Sequence, residues 1–515
     1  MKRSPAEFRN RVFLLVKRVG ASDVQHLLVG MSSFNFLLGA VLIATGGLVS
    51  PYDTGVYLEA GIHVVAGQIP YRDFFFLQPP GIIYLSSFLA GIAKVIGHID
   101  LVTAARSLCL LSASLNVYLA GYIVRGRGKL AVLIASFLTM ISMANLETST
   151  GFKLEPFYTT FLLAGLSLYF SDKPLGASKS RERLMGILFG LAIVFKFWAL
   201  LPICVFLVTC RRGLSSSYRT VVGFAAATTL FMLSPFLVLA PGKFLRQTLY
   251  LQLNRTSFQP VGVLTRLGEM SFFQASNGLA NLCLTSFWYL ILVLSILSLI
   301  SSLKRRELNS FLLASSASSL IVVLTTPEFF SYYSYLSLPF VAMLVGVAMP
   351  RVENSNLFRR VWAKKRAACL VTYTLLATMV LNAWGFAYGQ AHQVNDVPSK
   401  LIQIASKHGC VATTSEWVLL DVRSLQIPKT LCGEVVDPSG SWIVYKSSPA
   451  NPSTALIKWW KDLLSSSNVV ILSNQEVGAI PWWQPEKSPL ILWFNKHFRL
   501  EYQAHGLFVY WQVPS

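Results

Sequence analysis

The feature that most constrains this chain is a series of apolar runs, about 20 residues each, separated by short clusters of Lys and Arg. The first, Gly30 to Val49, carries no charged side chain and is long enough to cross a bilayer as an α-helix. A secretory signal has an apolar core of only about 7–15 residues, so this run reads as a retained helix. Of the 515 residues 54% are hydrophobic and 13% charged, about half the roughly 25% charge of soluble domains. Several soluble domains would need a polar surface that this composition does not supply, and disorder needs low hydrophobicity. The chain reads as an α-helical polytopic membrane protein.

A net charge of +21 suits nucleic acid when basic residues line one stripe with aromatics between them. Here six clusters between apolar runs hold 25 of the 44 Lys and Arg, as cytoplasmic loops do under the positive-inside rule. No nucleic-acid partner is expected. Residues 1–29 form a basic cytoplasmic N-terminus, and 30–388 a membrane domain of about 11 crossings in the plasma (inner) membrane. The crossing runs are Gly30 to Val49, Leu101 to Val124, Leu130 to Ala144, Leu154 to Phe170, a short pair within Leu184 to Cys210, Val221 to Leu239, Leu279 to Leu303, a run ending near Thr326, Tyr335 to Met349 and Ala367 to Tyr388. The charge rule leaves Gly81 to Gly97 in excess, which makes it an interfacial or re-entrant helix within a first external loop, 51–100. The stretch 241–278 reads as a second external interfacial segment. Residues 389–515 are near-neutral and form a small extracytoplasmic α/β domain. Its β-rich runs are Trp442 to Tyr445, Val469 to Leu472 and Leu507 to Trp511, with a helical stretch at Ala455 to Leu464.

Five of the seven cysteines lie in or beside membrane runs, where Cys is a small hydrophobe. Cys410 and Cys432 both fall in the external segment, where a disulfide is permitted. No His/Cys spacing of a metal site occurs, so no cofactor is expected and a divalent ion has no support.

Acidic residues are scarce, so their positions are informative. Between Pro51 and Gly81 lie Asp53, Glu59, Asp73, Arg72 and six aromatics, Tyr57 among them. A solvated loop with an aromatic belt is the plain reading. The apolar content is too high for one, however, and a carboxylate folded back onto a membrane domain needs partners or a task. Sugar transfer from a lipid phosphate is such a task. The phosphate leaves readily and needs positive charge, and the acceptor hydroxyl needs one base.

Asp53, followed by Gly67-Gln-Ile-Pro70-Tyr-Arg72-Asp73-Phe-Phe and Gln78-Pro-Pro-Gly81, resembles the GT-C superfamily of polyprenyl-phosphate-sugar-dependent glycosyltransferases. The likeness is to the bacterial branch with the rhizobial lipopolysaccharide transferases and, more distantly, the aminoarabinose and protein O-mannosyl transferases. Lys153-Leu-Glu155-Pro-Phe-Tyr158, Gly190 to Lys196, and Tyr332-Tyr333-Ser-Tyr335 to Phe340 resemble later elements of that branch. The resemblance implies an inverting transferase with Asp53 as base and Asp73 shaping the site or sharing that role. Its partners would be a polyprenyl-phosphate sugar donor, an extracytoplasmic acceptor and membrane lipids. Gln78 departs from the pattern, which often has His there.

Several candidates keep two readings. Arg72, Lys196, Arg255 and Arg266 would hold the donor phosphate, although Lys196 could instead snorkel and the two later arginines could be solvated. Lys153 and Glu155 bind substrate or simply pair with each other at a helix start. Tyr57, Glu59, Tyr332 and Tyr333 line the site, or the tyrosines belong to the interfacial belt. The rivals are a lipid transporter or flippase, which needs repeats and mid-membrane charges, and a polymerase or ligase of lipid-linked glycans.

Overall fold

The computed structural model describes residues 5–45, 51–97, 100–171, 178–211, 214, 217–255, 261–271, 278–300 and 307–353. In the C-terminal part it describes mainly 411–413, 418–420, 437–445, 453–473, 489–504 and 506–513. Five described helices are long and apolar enough to cross a membrane by themselves, and a bent pair makes a sixth candidate. They belong to α1 (Pro5–Thr45), α4 (Leu101–Val124), α10 (Tyr218–Leu239), α14 (Gly278–Ile300) and α15 (Glu307–Thr325). The pair is α5 (Lys129–Ile141) and α6 (Met143–Thr150), bent by 59° at Ser142, which caps α6 by accepting from Asn145 N–H. Shorter apolar helices complete the membrane part: α7 (Leu154–Tyr169), α8 (Lys179–Phe195), α9 (Leu200–Thr209) and α16 (Leu338–Glu353). Each crossing run expected up to Met349 coincides with one of these elements. The run Ala367 to Tyr388 and the pair Cys410 and Cys432 lie outside the described residues.

Close helix packing uses glycine where the backbone demands it. Gly186 and Gly190 share one face of α8, and a Cβ on either would sit 2.6–2.7 Å from a backbone carbonyl oxygen of α10. This is the small-residue spacing that lets membrane helices approach closely.

The segment expected as a first external loop is largely helical. Residues 51–65 form α2 (Pro51–Val65), with Pro51 at its start and Asp53 in its first turn. Both are helix-start signals: proline needs no N–H there, and a carboxylate complements the helix dipole. Abundant aromatics hid them. The excess segment is α3 (Gly81–Ile96), ended by Gly97 in the left-handed conformation at φ 81°. The stretch expected as a second interfacial segment holds a broken helix, α11 (Pro241–Leu245), a π-turn (Arg246–Tyr250) and α12 (Leu251–Leu253), and separately α13 (Val263–Glu269).

The C-terminal part carries a four-stranded sheet in the order β1-β2-β4-β3. β1 (Val411–Thr413) runs parallel to β2 (Val469–Ser473), and the β2–β4 and β4–β3 pairs are antiparallel, with β3 at Phe498–Ala504 and β4 at Leu507–Gln512. The expected strand at Trp442 to Tyr445 is instead the end of a helix, α17 (Pro438–Val444). Pro438 starts it, and Asp437 accepts from the Gly440 N–H as its cap. α18 (Thr454–Ser465) and α19 (Pro489–His497) pack on the sheet through Leu456, Trp460, Leu490 and Phe494.

Candidate functional site

Asp53, in the first turn of α2, receives two donors on one oxygen. Lys153 Nζ lies 2.6 Å and the Tyr332 hydroxyl 3.0 Å from Asp53 Oδ2. The Asp53 side chain is 17% exposed against 1% for Lys153, and among the described residues Oδ1 makes no hydrogen bond or ion pair. That leaves one open carboxylate oxygen. Lys153 stands at the extended position before α7, and the preceding Phe152 N–H donates to Thr54 Oγ1 at 3.1 Å, tying this segment to α2. The Lys153 ammonium also sits 3.8 Å from the Tyr332 ring centroid, a cation–π contact worth most where water is excluded.

A second buried pair lies alongside. α8 stops at Phe195, and Lys196 turns to extended backbone (φ −154°, ψ 122°) before the 3-10 turn Phe197–Ala199. Its ammonium donates to Glu155 in the first turn of α7 and lies 4.4 Å from the Trp198 ring and 4.8 Å from Tyr333. Lys153 and Glu155 therefore do not pair with each other. The extended backbone at Lys153 and the helical backbone at Glu155 turn the two side chains to different partners. Lys196 does not snorkel, and Tyr332 and Tyr333 are buried rather than belt residues. A buried charge left unmatched would cost several kcal/mol, of order 3–5, and here each cation meets a carboxylate.

Beside these pairs opens a cavity of about 170 Å3, lined by Lys196, Trp198, Tyr333, Gln78, Arg255 and Glu328 among others. Arg255 Nε is buried without a hydrogen-bond partner among the described residues. The site thus combines an open carboxylate, two paired ammoniums, one arginine with spare donors, and aromatic walls.

Three further acids contribute that the sequence reading did not single out. Glu328 lines this cavity, and Glu147 accepts from Ser331 Oγ at 2.6 Å in the element that carries Tyr332. Asp437, in the C-terminal part, accepts from the Tyr52 hydroxyl at 2.8 Å, one residue from Asp53. Burial pushes the Asp437 carboxyl above the ordinary aspartate range, while Tyr52 and the Gly440 N–H pull it back. Acid scarcity was a usable signal for Glu147 and Glu328, each isolated between apolar runs. Nothing local marks Asp437.

Other expected site residues lie elsewhere. Arg72 and Asp73 form a two-pronged pair at 2.8 and 3.0 Å, and Asp73 also accepts from the Ile69 N–H at 2.8 Å. Arg72 holds the Asp73 carboxyl below the usual range. Neither residue lines the cavity beside Arg255, and Asp73 makes no contact with Asp53 or its partners, so the two aspartates do not share one site. Tyr71, at φ 66°, makes the turn that leads into Arg72 and Asp73. Packing against Phe236 and Phe244 and a hydroxyl bond to the Gln78 carbonyl at 2.8 Å hold that conformation. Arg266 is neither solvated nor free for phosphate. It is buried, and its guanidinium donates to the carbonyls of Val261, Val323, Leu324, Thr326 and Pro327, closing the C-terminal end of α15. Tyr57 packs edge-on to Phe76 and Phe152, and Glu59 is fully buried beside His63, so both support α2 from inside.

No protein-family model matches this chain, and no curated protein matches it. Solved structures do. ArnT from Cupriavidus metallidurans, bound to undecaprenyl phosphate, superposes with a TM-score of 0.61 at 14% identity over 95% of this chain and 98% of that one. An archaeal oligosaccharyltransferase, AglB from Archaeoglobus fulgidus, in complex with an inhibitory peptide and a dolichol-phosphate, gives 0.53 at 13% identity over 95% and 74%. The fold is therefore the GT-C fold, a polytopic helical part followed by a small part built on a four-stranded sheet.

Proposed function

We propose that this chain is an inverting glycosyltransferase that moves a sugar from a polyprenyl-phosphate donor to an acceptor on the extracytoplasmic side of the plasma (inner) membrane. In this reading the N-terminus is cytoplasmic and the C-terminal domain external. The observation that carries the proposal is Asp53: a carboxylate held by Lys153 and Tyr332 on one oxygen, open on the other, beside a cavity with spare cationic donors. The solved neighbours carry undecaprenyl phosphate and dolichol-phosphate, which supports a lipid phosphate as the donor's carrier.

The chemistry follows from those groups. The acceptor hydroxyl gives its proton to Asp53 Oδ1 while its oxygen bonds to the anomeric carbon. The bond from that carbon to the phosphate oxygen breaks on the opposite face, and its electron pair leaves with the phosphate. Positive charge fixed beforehand stabilises that developing charge at no cost in reorganisation. Arg255 supplies it, with Lys196, already paired with Glu155, lining the same cavity and Tyr333 and Trp198 walling the sugar. Lys153 is a positioning residue, since its ammonium is already committed to Asp53. Arg72, Asp73 and Arg266 have no part in this step.

The test is transfer in membranes from a labelled polyprenyl-phosphate sugar by Asp53→Asn protein. A fall of about 100-fold or more is expected from loss of a positioned base, and full activity would sink the assignment. Release of polyprenyl monophosphate in step with product separates this reading from a ligase, which releases the pyrophosphate carrier. Transfer itself separates it from a flippase.

A further inference from the structure

A second cavity, of about 570 Å3, lies where the first external loop, the broken helix 241–253 and the C-terminal domain meet. Its volume is within the range of about 300–1,000 Å3 typical of small-molecule sites. Two sets of side chains line it. Arg72, Lys243 and Arg246 supply positive charge, and Phe75, Tyr445 and Trp459 form an aromatic cluster with centroids 5.4–6.0 Å apart.

The Arg72 charge is matched by Asp73, which lines the same cavity, but those of Lys243 and Arg246 are not matched. Lys243 donates only to the Arg72 carbonyl, at 2.9 Å, and Arg246 only to the Val444 carbonyl, at 3.2 Å. Neither forms an ion pair among the described residues. An ammonium has three donors and a guanidinium five, so most are left for a ligand. Aromatic faces beside such donors suit a sugar ring, whose C–H face stacks while its substituents are hydrogen-bonded.

The cavity is also tied to Asp53. Asp437, capping α17, holds Tyr52, and the other end of α17 brings Val444 and Tyr445 into the cavity wall. A helix of 7 residues spans about 10 Å, the length of one to two sugar units. The segment 243–253 lines both cavities, with Lys243, Arg246 and Gln247 on one and Thr248 and Gln252 on the other.

We infer that this second cavity binds an anionic saccharide, the glycan end of the acceptor, with its phosphate or carboxylate on Lys243 and Arg246 and a ring on Trp459. The acceptor role rests on the transferase reading above; the binding does not.

The experiment measures binding to the full chain in nanodiscs by calorimetry. The probes are maltotetraose, a singly phosphorylated maltotetraose, a hyaluronan tetrasaccharide and inorganic phosphate. The charged saccharides are expected to bind about tenfold or more tighter than maltotetraose, with an advantage that shrinks as salt rises. The tighter of the two names the anion, and inorganic phosphate alone is expected to bind weakly. Lys243→Ala with Arg246→Ala, at two exposed positions, should erase the advantage about tenfold while leaving maltotetraose within about twofold. Trp459→Ala should weaken every saccharide. Equal binding of charged and neutral saccharides, or unchanged binding by the double variant, would overturn the assignment. Asp53→Asn protein, measured in parallel, should bind as the wild type does. Binding without any transfer by the wild type would count against the transferase reading alone, and transfer without saccharide binding against this inference alone.

Discussion

Lys153 reaches back 100 residues along the chain to place its ammonium 2.6 Å from Asp53, while Glu155, two residues on, pairs with Lys196 instead. The two pairs hold α7 against α2 and against the break after α8, so the geometry around Asp53 and the helix packing are one arrangement. The central pair can be tested as a unit. Lys153→Met leaves a carboxylate with one donor fewer in a largely dry setting. It should destabilise the protein by about 3–5 kcal/mol, read as a lowered unfolding temperature in detergent. In the Asp53→Asn background the same change should cost much less, because the charge it matched has gone. Additive losses in that double-mutant cycle would mean that the two residues are not coupled.

Gly81 offers a second test. A Cβ there would lie 2.7 Å from Phe195 Cα, at the break that presents Lys196. Gly81→Ala should cost about 1–3 kcal/mol through overpacking and should depress transfer. Gly91→Ala, on the same helix with nothing within 4 Å, should be neutral or stabilising by up to about 1 kcal/mol. Thermal scans of the two variants separate local crowding from helix propensity.

Arg266→Ala distinguishes a structural arginine from a phosphate holder. It leaves buried carbonyls at the end of α15 without a donor and should cost about 2–3 kcal/mol. The KM for the lipid-phosphate donor should not change in protein that remains folded. A raised KM at unchanged stability would return Arg266 to the donor site.

Burial of Asp437 makes the stability of the C-terminal part pH-dependent, with the Tyr52 hydroxyl opposing the effect. Burial raises the folded-state pKa of Asp437 above its unfolded value, near 3.9 in model peptides. The protonated form is therefore the one the fold favours. That contribution is full below about pH 3.9 and is lost as pH rises through the raised value. Asp437→Asn, neutral at every pH, should gain stability relative to wild type between pH 4 and pH 7. A constant difference in unfolding temperature across that window would refute the linkage. Asp73 works in the opposite sense: Arg72 depresses its pKa, so its contribution is lost as pH falls.

The helices that build the membrane domain were legible because spanning length and apolarity are properties of consecutive residues. So were β2, β4 and α18, through local alternation and amphipathic spacing. The resemblance picked out residues that do meet in space, Asp53 with Lys153 and Tyr332, and Glu155 with Lys196 and so with Tyr333. The sequence did not reveal α2, where aromatics and acids together read as a loop, or α17, where a β-rich run follows a proline and a capping aspartate.

The sequence by itself determined that this chain is a polytopic membrane protein, along which stretches it is apolar enough to cross, and which few charges are left over from its basic clusters. Only the tertiary structure decided the use of each leftover charge. Lys153 serves Asp53, Lys196 serves Glu155, Arg266 closes a helix end, Arg72 turns to a second cavity, and Arg255 keeps donors in reserve. Hydropathy is summed over neighbours in the chain and can be read from them. The fate of a buried charge depends on the one partner that folding brings within about 3 Å, and that partner is tens to hundreds of residues away.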